Sequence, residues 1–559
     1  MLISLDQKNP SFLSITFPYR AHLVAAVKAL PGRTYNPKTK AWRVHTDHVD
    51  KVVEKLRPLG ITPTPAVITL QTKLAADRYN ADQEDFECGK LPLYDFQKLG
   101  AKRMYQSSSL LLADVPGLGK TIQTIAALKG SSKILILCPA SLKFSWAKEI
   151  EKWTPELGPG SVTVNVINGD KEIRRRQWGA WQVNVGPTWT IANYELLYHD
   201  YDEIKACGQW DAIVCDEATR ISNPRAVSVR ALKTLACHKR VALTGTPISN
   251  SPIDLWAILD WLRPGSLGNY SWFVERFAIT DGFRNITGFK NLKEFADLAE
   301  PWVLRRTKEE VFKDFPKKTI ELIEFPLKAG EQAIYDKIRQ GLAHEIAATL
   351  TVSTETIGII PVKMLRLKQV TDHVKLVAEG EQFTFMDSAK FETCVDLVEP
   401  IVKSGEKVII FSQFAEMAKI LAGKLPVPPG VAIHLIHGET PVPDRQAAVD
   451  AFNAHPGGAV MIMTEAGAYG LNLQSASYVI HYDQPWSVAK LMQREDRAHR
   501  IGQTKPVTVY NLIAKNTIDE YVAKTLHKKQ GVSVELLKDV ERMEKNGLAI
   551  EDVKAILRI

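Results

Sequence analysis

The chain has 559 residues, 45% of them hydrophobic and 24% charged, with a net charge of +8. That is length for several domains of roughly 100–200 residues each, and a composition that buries cores, so wholesale disorder is excluded. No run approaches the roughly 18 apolar residues of a membrane span, and the opening MLISLDQKNPSFLSITFPYR has no basic stretch followed by a long apolar core, so neither a membrane partner nor a secretory leader is expected.

The first sixty residues carry ten Lys/Arg against four Asp/Glu, most of the chain's surplus, and predict a polyanion partner. They read as a small α/β module, residues 1–60. FLSITF is strand-like, and Arg20 to Leu30 is helical with Leu23, Val24, Val27 and Leu30 on one face. Asn36-Pro37-Lys38-Thr39 turns a hairpin, and Asp47 to Leu56 forms a second helix. Residues 61–90, with prolines and then an acidic patch, read as a connector. From 91 to 300, short apolar strands alternate with amphipathic helices: KILILCPA, TVNVINGD, TWTIANY, DAIVCDE and RVALTGT are strands of a buried parallel sheet. Residues 301–385 are expected to be mostly helical. A second alternating block, 386–525, contains KVIIFSQF, VAIHLIHG, AVMIMTEA, YVIHYD and VTVYNLI, and 526–559 reads as a helical tail. The six cysteines (Cys88, Cys138, Cys207, Cys215, Cys237 and Cys394) show no C-x-x-C pairing, which points to a reducing, intracellular setting and no zinc site.

DVPGLGKT, Asp114 to Thr121, follows the apolar run Leu110 to Ala113. Gly117 and Gly119 let backbone N–H groups face phosphate oxygens, and the helix that follows adds its positive end. Lys120 is expected on the β- and γ-phosphates of ATP, and Thr121 on Mg²⁺. Asp114 stands where the common G-x-x-x-x-G-K-T pattern has its first glycine. WDAIVCDEAT supplies the acidic half, with Asp216 for the Mg²⁺ shell and Glu217 to orient and deprotonate the attacking water. In LYDFQ, Phe96 is a candidate to stack on adenine and Gln97 to bond its edge. Arg497 and Arg500, spaced i, i+3 on an expected helix, suit a phosphoryl group gathering charge, as arginine fingers from the second block. Thr244 and Thr246 of LTGTPISNSP are candidates to relay the nucleotide state to nucleic acid. Ser141 of CPASLKFSW and Thr464 of TEAGAYGLNL are candidates for holding a phosphodiester strand without reading its sequence.

In this order the strings resemble the Swi/Snf-type ATPases of helicase superfamily two over about residues 91–525; QREDRAHRIGQ is the most specific of them. The resemblance implies an α/β fold of two RecA-like parallel-sheet lobes with a helical inter-lobe region, and an ATP- and Mg²⁺-dependent motor that translocates on double-stranded DNA. It adds Gly470 and Gln493 to the nucleotide site, and Ser412 and His437 to the DNA contacts. Thr219 stands where the family has the His of D-E-A-H, and Glu465 where it commonly has Arg. Residues 10–57, with RTYNPKTKAW, resemble the HARP (HepA-related) module of annealing helicases. That implies forked DNA or single-strand/duplex junctions as partners, with Lys38, Lys40, Trp42 and Arg43 as contacts. The combined expectation is a monomeric motor that remodels branched DNA. A motor stripping proteins from DNA, and an ATP-binding DNA clamp without useful turnover, are its rivals.

Overall fold

The computed structural model describes all residues except 84–90, 155–161, 184–185, 250, 313, 351–359, 378–382, 466–470, 531–541 and 545–559. Two compact units divide the chain, the first built mainly on residues up to Thr307 and the second on Lys308 onward.

The first unit opens with a five-stranded sheet: β1 (Leu2–Leu5), β2 (Phe12–Thr16), β3 (Thr34–Asn36), β4 (Ala41–His45) and β5 (Thr62–Pro63), in the order β3-β4-β2-β1-β5. Helices Ala21–Lys28 and Val49–Leu56 cover it, burying Leu23, Val27, Val52 and Leu56 against Ile3, Leu13, Ile15 and Val44. The apolar spacing within each helix puts those residues on one stripe. The segment expected as a connector belongs in part to this module. β5 runs parallel to β1, and a helix follows over Pro65–Gln83.

The first lobe's sheet takes β6 (Ser109–Leu112), β7 (Lys133–Cys138), β8 (Thr163–Val166), β9 (Thr188–Asn193), β10 (Trp210–Asp216) and β11 (Cys237–Leu243). A small antiparallel pair follows, β12 (Ala278–Thr280) and β13 (Ile286–Lys290), and then β14 (Val303–Leu304) returns to the large sheet. The order is β14-β6-β11-β10-β7-β9-β8, parallel throughout. Continuous apolar runs such as Ile134–Leu137 and Ala212–Cys215 are fully buried, as helices on both faces require. Because β14 joins this sheet, the lobe runs past the expected boundary at residue 300.

The front module is fixed to this lobe. Arg263 donates through Nε to the Asp47 carboxylate at 3.0 Å and pairs with it through Nη2, and the buried His48 imidazole lies 2.7 Å from the Ser266 carbonyl. Gly32 sits so close to the Gly265–Gly268 loop that a Cβ there would come within 2.9 Å of the Gly268 nitrogen and the Ser266 oxygen. Burial works to raise the Asp47 carboxyl, but His45 and Arg263 hold it far below the usual range.

The second unit's sheet contains β15 (Lys318–Phe325), β16 (Lys407–Ser412), β17 (Ala432–Ile436), β18 (Ala459–Thr464), β19 (Tyr478–His481) and β20 (Val507–Ala514). Its order is β15-β20-β19-β16-β18-β17, again all parallel. β15 departs from the expected helical segment 301–385: its pairing with β20 over eight residues outweighs local pattern. Helices Ala329–Leu350 and Ile360–Asp372 follow it. In the tail expected to be helical, β21 (Arg542–Glu544) pairs with β13 in the first unit. Among the described residues no helix is long and apolar enough to cross a membrane.

Candidate active site

The candidate site of the first lobe forms at the C-terminal ends of β6 and β10, which are separated by one strand, β11. That edge is where open parallel sheets hold ligands. β6 runs into a loop in which Gly117 (φ 88°) and Gly119 (φ 74°) adopt left-handed backbone, and the helix Lys120–Ala127 starts directly after. A side chain at Gly119 would meet the Gln97 amide nitrogen at 2.5 Å, so only glycine fits. Asp114 has no such φ, which is why a side chain is tolerated in place of the common first glycine.

That side chain is spoken for. Asp114 is fully buried and accepts two bonds from Arg306, at 3.0 and 2.6 Å, and one from Gln123 at 3.2 Å. Arg306 also bonds Gln123 at 2.8 Å and the Phe96 carbonyl, with its guanidinium 5.2 Å from the Phe96 ring centroid. So the Asp114 carboxylate braces the loop, and only its carbonyl faces inward, accepting from Lys120 Nζ at 2.8 Å. Phe96 is half-buried and stacked near Tyr94; Gln97 is buried, and its side-chain oxygen accepts from the Tyr94 N–H at 3.0 Å. Sequence reasoning missed Arg306 and Gln123. The first lies in LRRTKEEV, far along the chain, and no local pattern links it to the loop.

At the end of β10, Asp216 is held three ways. The buried Trp146 donates its indole N–H to Oδ2 at 2.7 Å, the Glu217 N–H donates to Oδ1 at 2.9 Å, and Tyr194 donates its hydroxyl to the Asp216 carbonyl at 2.7 Å. Burial pushes the Asp216 carboxyl up; the Trp146 N–H and the nearby positive charge of Lys120 oppose it. Glu217 takes a left-handed φ of 51°, a conformation that costs a non-glycine residue about 1–2 kcal/mol and recurs at functional sites. The Thr219 hydroxyl donates to the Glu217 carbonyl at 3.5 Å. Thr121 is half-buried on the first turn of the loop's helix. A hydroxyl and a carboxylate with lone pairs to spare fit a hard divalent ion such as Mg²⁺, which takes the rest of its ligands from phosphate and water.

In the second lobe the helix carrying the arginines spans Val488–Glu495. Arg497 and Arg500 therefore lie in the turns beyond it, not on its face as expected. Both are half-buried, and Arg497 bonds the Gln493 and Leu471 carbonyls at 3.1 and 3.4 Å. Their acidic neighbours are engaged elsewhere: Glu495 pairs with Lys318 at 2.6 Å, and Asp496 with Lys308. Arg494, which the sequence did not single out, is buried and donates to the Asp483 carbonyl at 2.8 Å and to Glu465 at 3.0 Å. The family-departing Glu465 thus answers a buried arginine. Gln493 is half-buried, and Gly470 lies outside the described residues.

The structure corrects several expected DNA contacts. Ser412 is fully buried and donates to Asp483 at 2.7 Å. Thr244 is fully buried, its hydroxyl accepting from the Thr246 N–H at 3.2 Å, and Thr464 is 4% exposed. A duplex backbone cannot touch these three side chains. Ser141 is exposed and Thr246 half-buried; His437 is half-buried, with Nδ1 accepting from the Glu439 N–H at 3.3 Å. On the front hairpin Lys38 and Lys40 are exposed, and Trp42 faces Tyr35 across the strands at 5.0 Å. Arg43, next along β4, points to the opposite face, where it pairs with Asp6 at 2.8 Å and lies over Phe12.

A phosphate loop and an acidic pair at one edge of a parallel sheet define a nucleotide-binding α/β protein, and a second parallel-sheet unit follows in the same chain. Residues 26–376 match the SNF2-related domain, and residues 389–502 match the helicase conserved C-terminal domain. The chain belongs to the SNF2-related family. Similar proteins include an uncharacterized ATP-dependent helicase of Mycoplasma genitalium, 31% identical over 84% of this chain and 45% of that protein. Another is SWI/SNF-related matrix-associated actin-dependent regulator of chromatin subfamily A member 1 of mouse, 30% identical over 77% of this chain and 42% of that protein. The chain thus spans less than half the length of these curated relatives. Among solved structures, the SWI2/SNF2 ATPase core of Sulfolobus solfataricus in complex with dsDNA is 28% identical, covering 85% of this chain and 98% of that one with a TM-score of 0.38.

Proposed function

We propose that the chain is an ATP-driven, DNA-dependent translocase that moves along duplex DNA and remodels forked or branched DNA as a monomer. The observation that carries the reading is the placement of Lys120 beside Asp216: a phosphate loop, and a residue whose carboxylate accepts two hydrogen bonds and whose backbone carbonyl accepts a third, at one sheet edge. Backbone N–H groups at Gly117 and Gly119 and the Lys120 ammonium bind the phosphates. Thr121 and Asp216 would hold Mg²⁺, which would supply positive charge against the phosphates. Glu217 takes the proton of the attacking water, and Arg497 and Arg500 answer the charge that grows on the transferred phosphoryl group.

Relatives described as an ATP-dependent helicase and a putative ATP-dependent helicase/translocase support the reading of an ATP-driven motor. The HARP-like assignment of the front module rests on its hairpin, where Tyr35 and Trp42 pair above two exposed lysines. ATP turnover measured without DNA and with single-stranded, duplex and forked DNA tests the reading. Duplex and fork should stimulate, and Lys120→Ala should lower turnover by about 100-fold or more while leaving DNA affinity within twofold. A rate that no DNA changes would sink the motor and favour the clamp.

A further inference from the structure

The seam between the front module and the first lobe holds a groove of about 680 Å³. Its walls come from both partners. Lys51 belongs to the module's second helix, Lys290 ends β13, and Lys293 lies on the first turn of the helix Leu292–Ala299. None of the three ammonium groups makes an ion pair among the described residues. Of the two acids in the lining, Glu294 is neutralised by Arg276, which donates to it at 3.0 and 2.6 Å, leaving Asp297 against three lysines. The apolar lining is Ala29, Pro31 and Leu298.

We propose that this groove is a second phosphodiester-binding track that holds one arm of branched DNA, an inference resting on the reading that the chain works on DNA. Lysines along the walls suit phosphates spaced on a strand, and the apolar surface suits the carbon edges of deoxyribose. An acidic peptide would set its backbone N–H and C=O groups against Ala29, Pro31 and Leu298, whose side chains offer no partner; Asn291, the neutral polar side chain of the lining, already spends its amide N–H on the Arg276 carbonyl at 2.8 Å. The walls do not need to be brought together by the ligand. Arg263 with Asp47, His48 with the Ser266 carbonyl, and the glycine contact at Gly32 already fix module to lobe, so the track is preorganised.

The test is the triple variant Lys51→Gln, Lys290→Gln, Lys293→Gln in the full chain, with affinity for forked and linear duplex DNA read by fluorescence anisotropy at several salt concentrations. Fork affinity should fall about tenfold, and the slope of log K against log salt should shrink by about 2–3, while linear duplex changes less than twofold. A charge-matched control, Lys403→Gln, Lys419→Gln, Lys524→Gln, should move neither. An unchanged melting temperature shows that the triple variant folds, and Lys→Glu at the same three sites should deepen the loss. Fork affinity and salt slope unchanged in both variants would overturn the proposal, as would an equal loss from the control triple. So would polyglutamate binding that depends on the three lysines when fork binding does not, since the occupant would then be an acidic protein. If the wild-type chain's ATP turnover ignores every DNA, the parent reading fails. If turnover responds but the triple variant binds forks normally, only the groove fails.

Discussion

The two parallel-sheet lobes use charge in opposite ways. In the first, the groups proposed to act on the nucleotide are half-buried: Lys120 and Thr121 on the first turn of the loop's helix, Asp216 and Glu217 at the end of β10. In the second, most of the polar residues in the telling strings are sealed inside. Asp483 accepts from Ser412 and from both the backbone and side chain of Gln413, Arg494 ties it to Glu465, and Lys368 donates to the adjoining Gln484 carbonyl. Deeper still, Lys390 lies between Asp372 and Asp519 at 2.9 and 2.6 Å, all three at most 1% exposed. Burial works to raise the Asp483 carboxyl, but Arg494 and Lys368 hold it at about 2. The contrast teaches that a recognisable string in the second lobe is mostly scaffold, and that the catalytic role proposed for Arg497 and Arg500 falls to two half-buried residues of that string.

Breaking the deepest part of that network has the largest expected effect. Lys390→Ala strands two buried carboxylates and should destabilise the second lobe by about 3–5 kcal/mol. The Cys394 thiol, buried in that lobe, and Cys215, buried in the first, give separate readouts. In urea, labelling of Cys394 should move to lower concentration while Cys215 stays put; a joint shift would mean that the lobes unfold as one.

Acid comes next. Burial lowers the imidazoles of His373 and His499, both in the second unit, to about 4. An unfolded chain protonates them near pH 6.5, so stability present above that pH is lost progressively between pH 6.5 and 4. Glu495, whose carboxyl burial would raise but His481 and Lys318 hold at about 2, extends the loss from about pH 4.3 toward 2. Cys394 labelling by a dithiodipyridine, which reacts in acid, should show the second lobe opening at lower urea at pH 5 than at pH 7. No change across that window would mean that these imidazoles are solvated.

In the first lobe the expected effects are smaller and kinetic. Trp146→Phe keeps the ring in its pocket but removes the N–H that holds Asp216 Oδ2. Turnover number with duplex DNA should fall about tenfold, the cost of one charge-assisted hydrogen bond, with DNA affinity unchanged. Titration of a fluorescent ATP analogue should show a raised Mg²⁺ requirement, which loss of packing alone would not produce. The helix bearing Trp146 begins at Lys143, two residues after Ser141, a candidate DNA contact, so the same variant asks whether the track speaks to the carboxylate by this route.

Much of this was legible in the sequence because it is local. Glycines followed by Lys-Thr after an apolar run fix a loop and a helix start, and Asp-Glu after a buried run fixes a strand end. The eleven strands expected from apolar runs were read correctly where they are continuous, as in KILILC and KVIIFS. What escaped depends on residues far apart in the chain. Arg306 finds Asp114, Lys318 finds Glu495, and Lys308 finds Asp496, and β15 exists only because β20 pairs with it. The Arg497–Arg500 spacing looked helical because i, i+3 also describes the tighter turns after Glu495.

Ser412 is the sharpest small test of the contrast between the lobes. By string position it should touch DNA; in the fold it is sealed and donates to Asp483. Ser412→Ala removes one hydrogen bond to a buried carboxylate that keeps Gln413 and Arg494, so the second lobe should lose only about 1–2 kcal/mol. Duplex affinity should stay within twofold and its salt slope unchanged, because no phosphate contact is lost. A drop in affinity with an altered salt slope and unaltered stability would place the hydroxyl on the DNA, and the second lobe's polar strings would then have to be counted as surface after all.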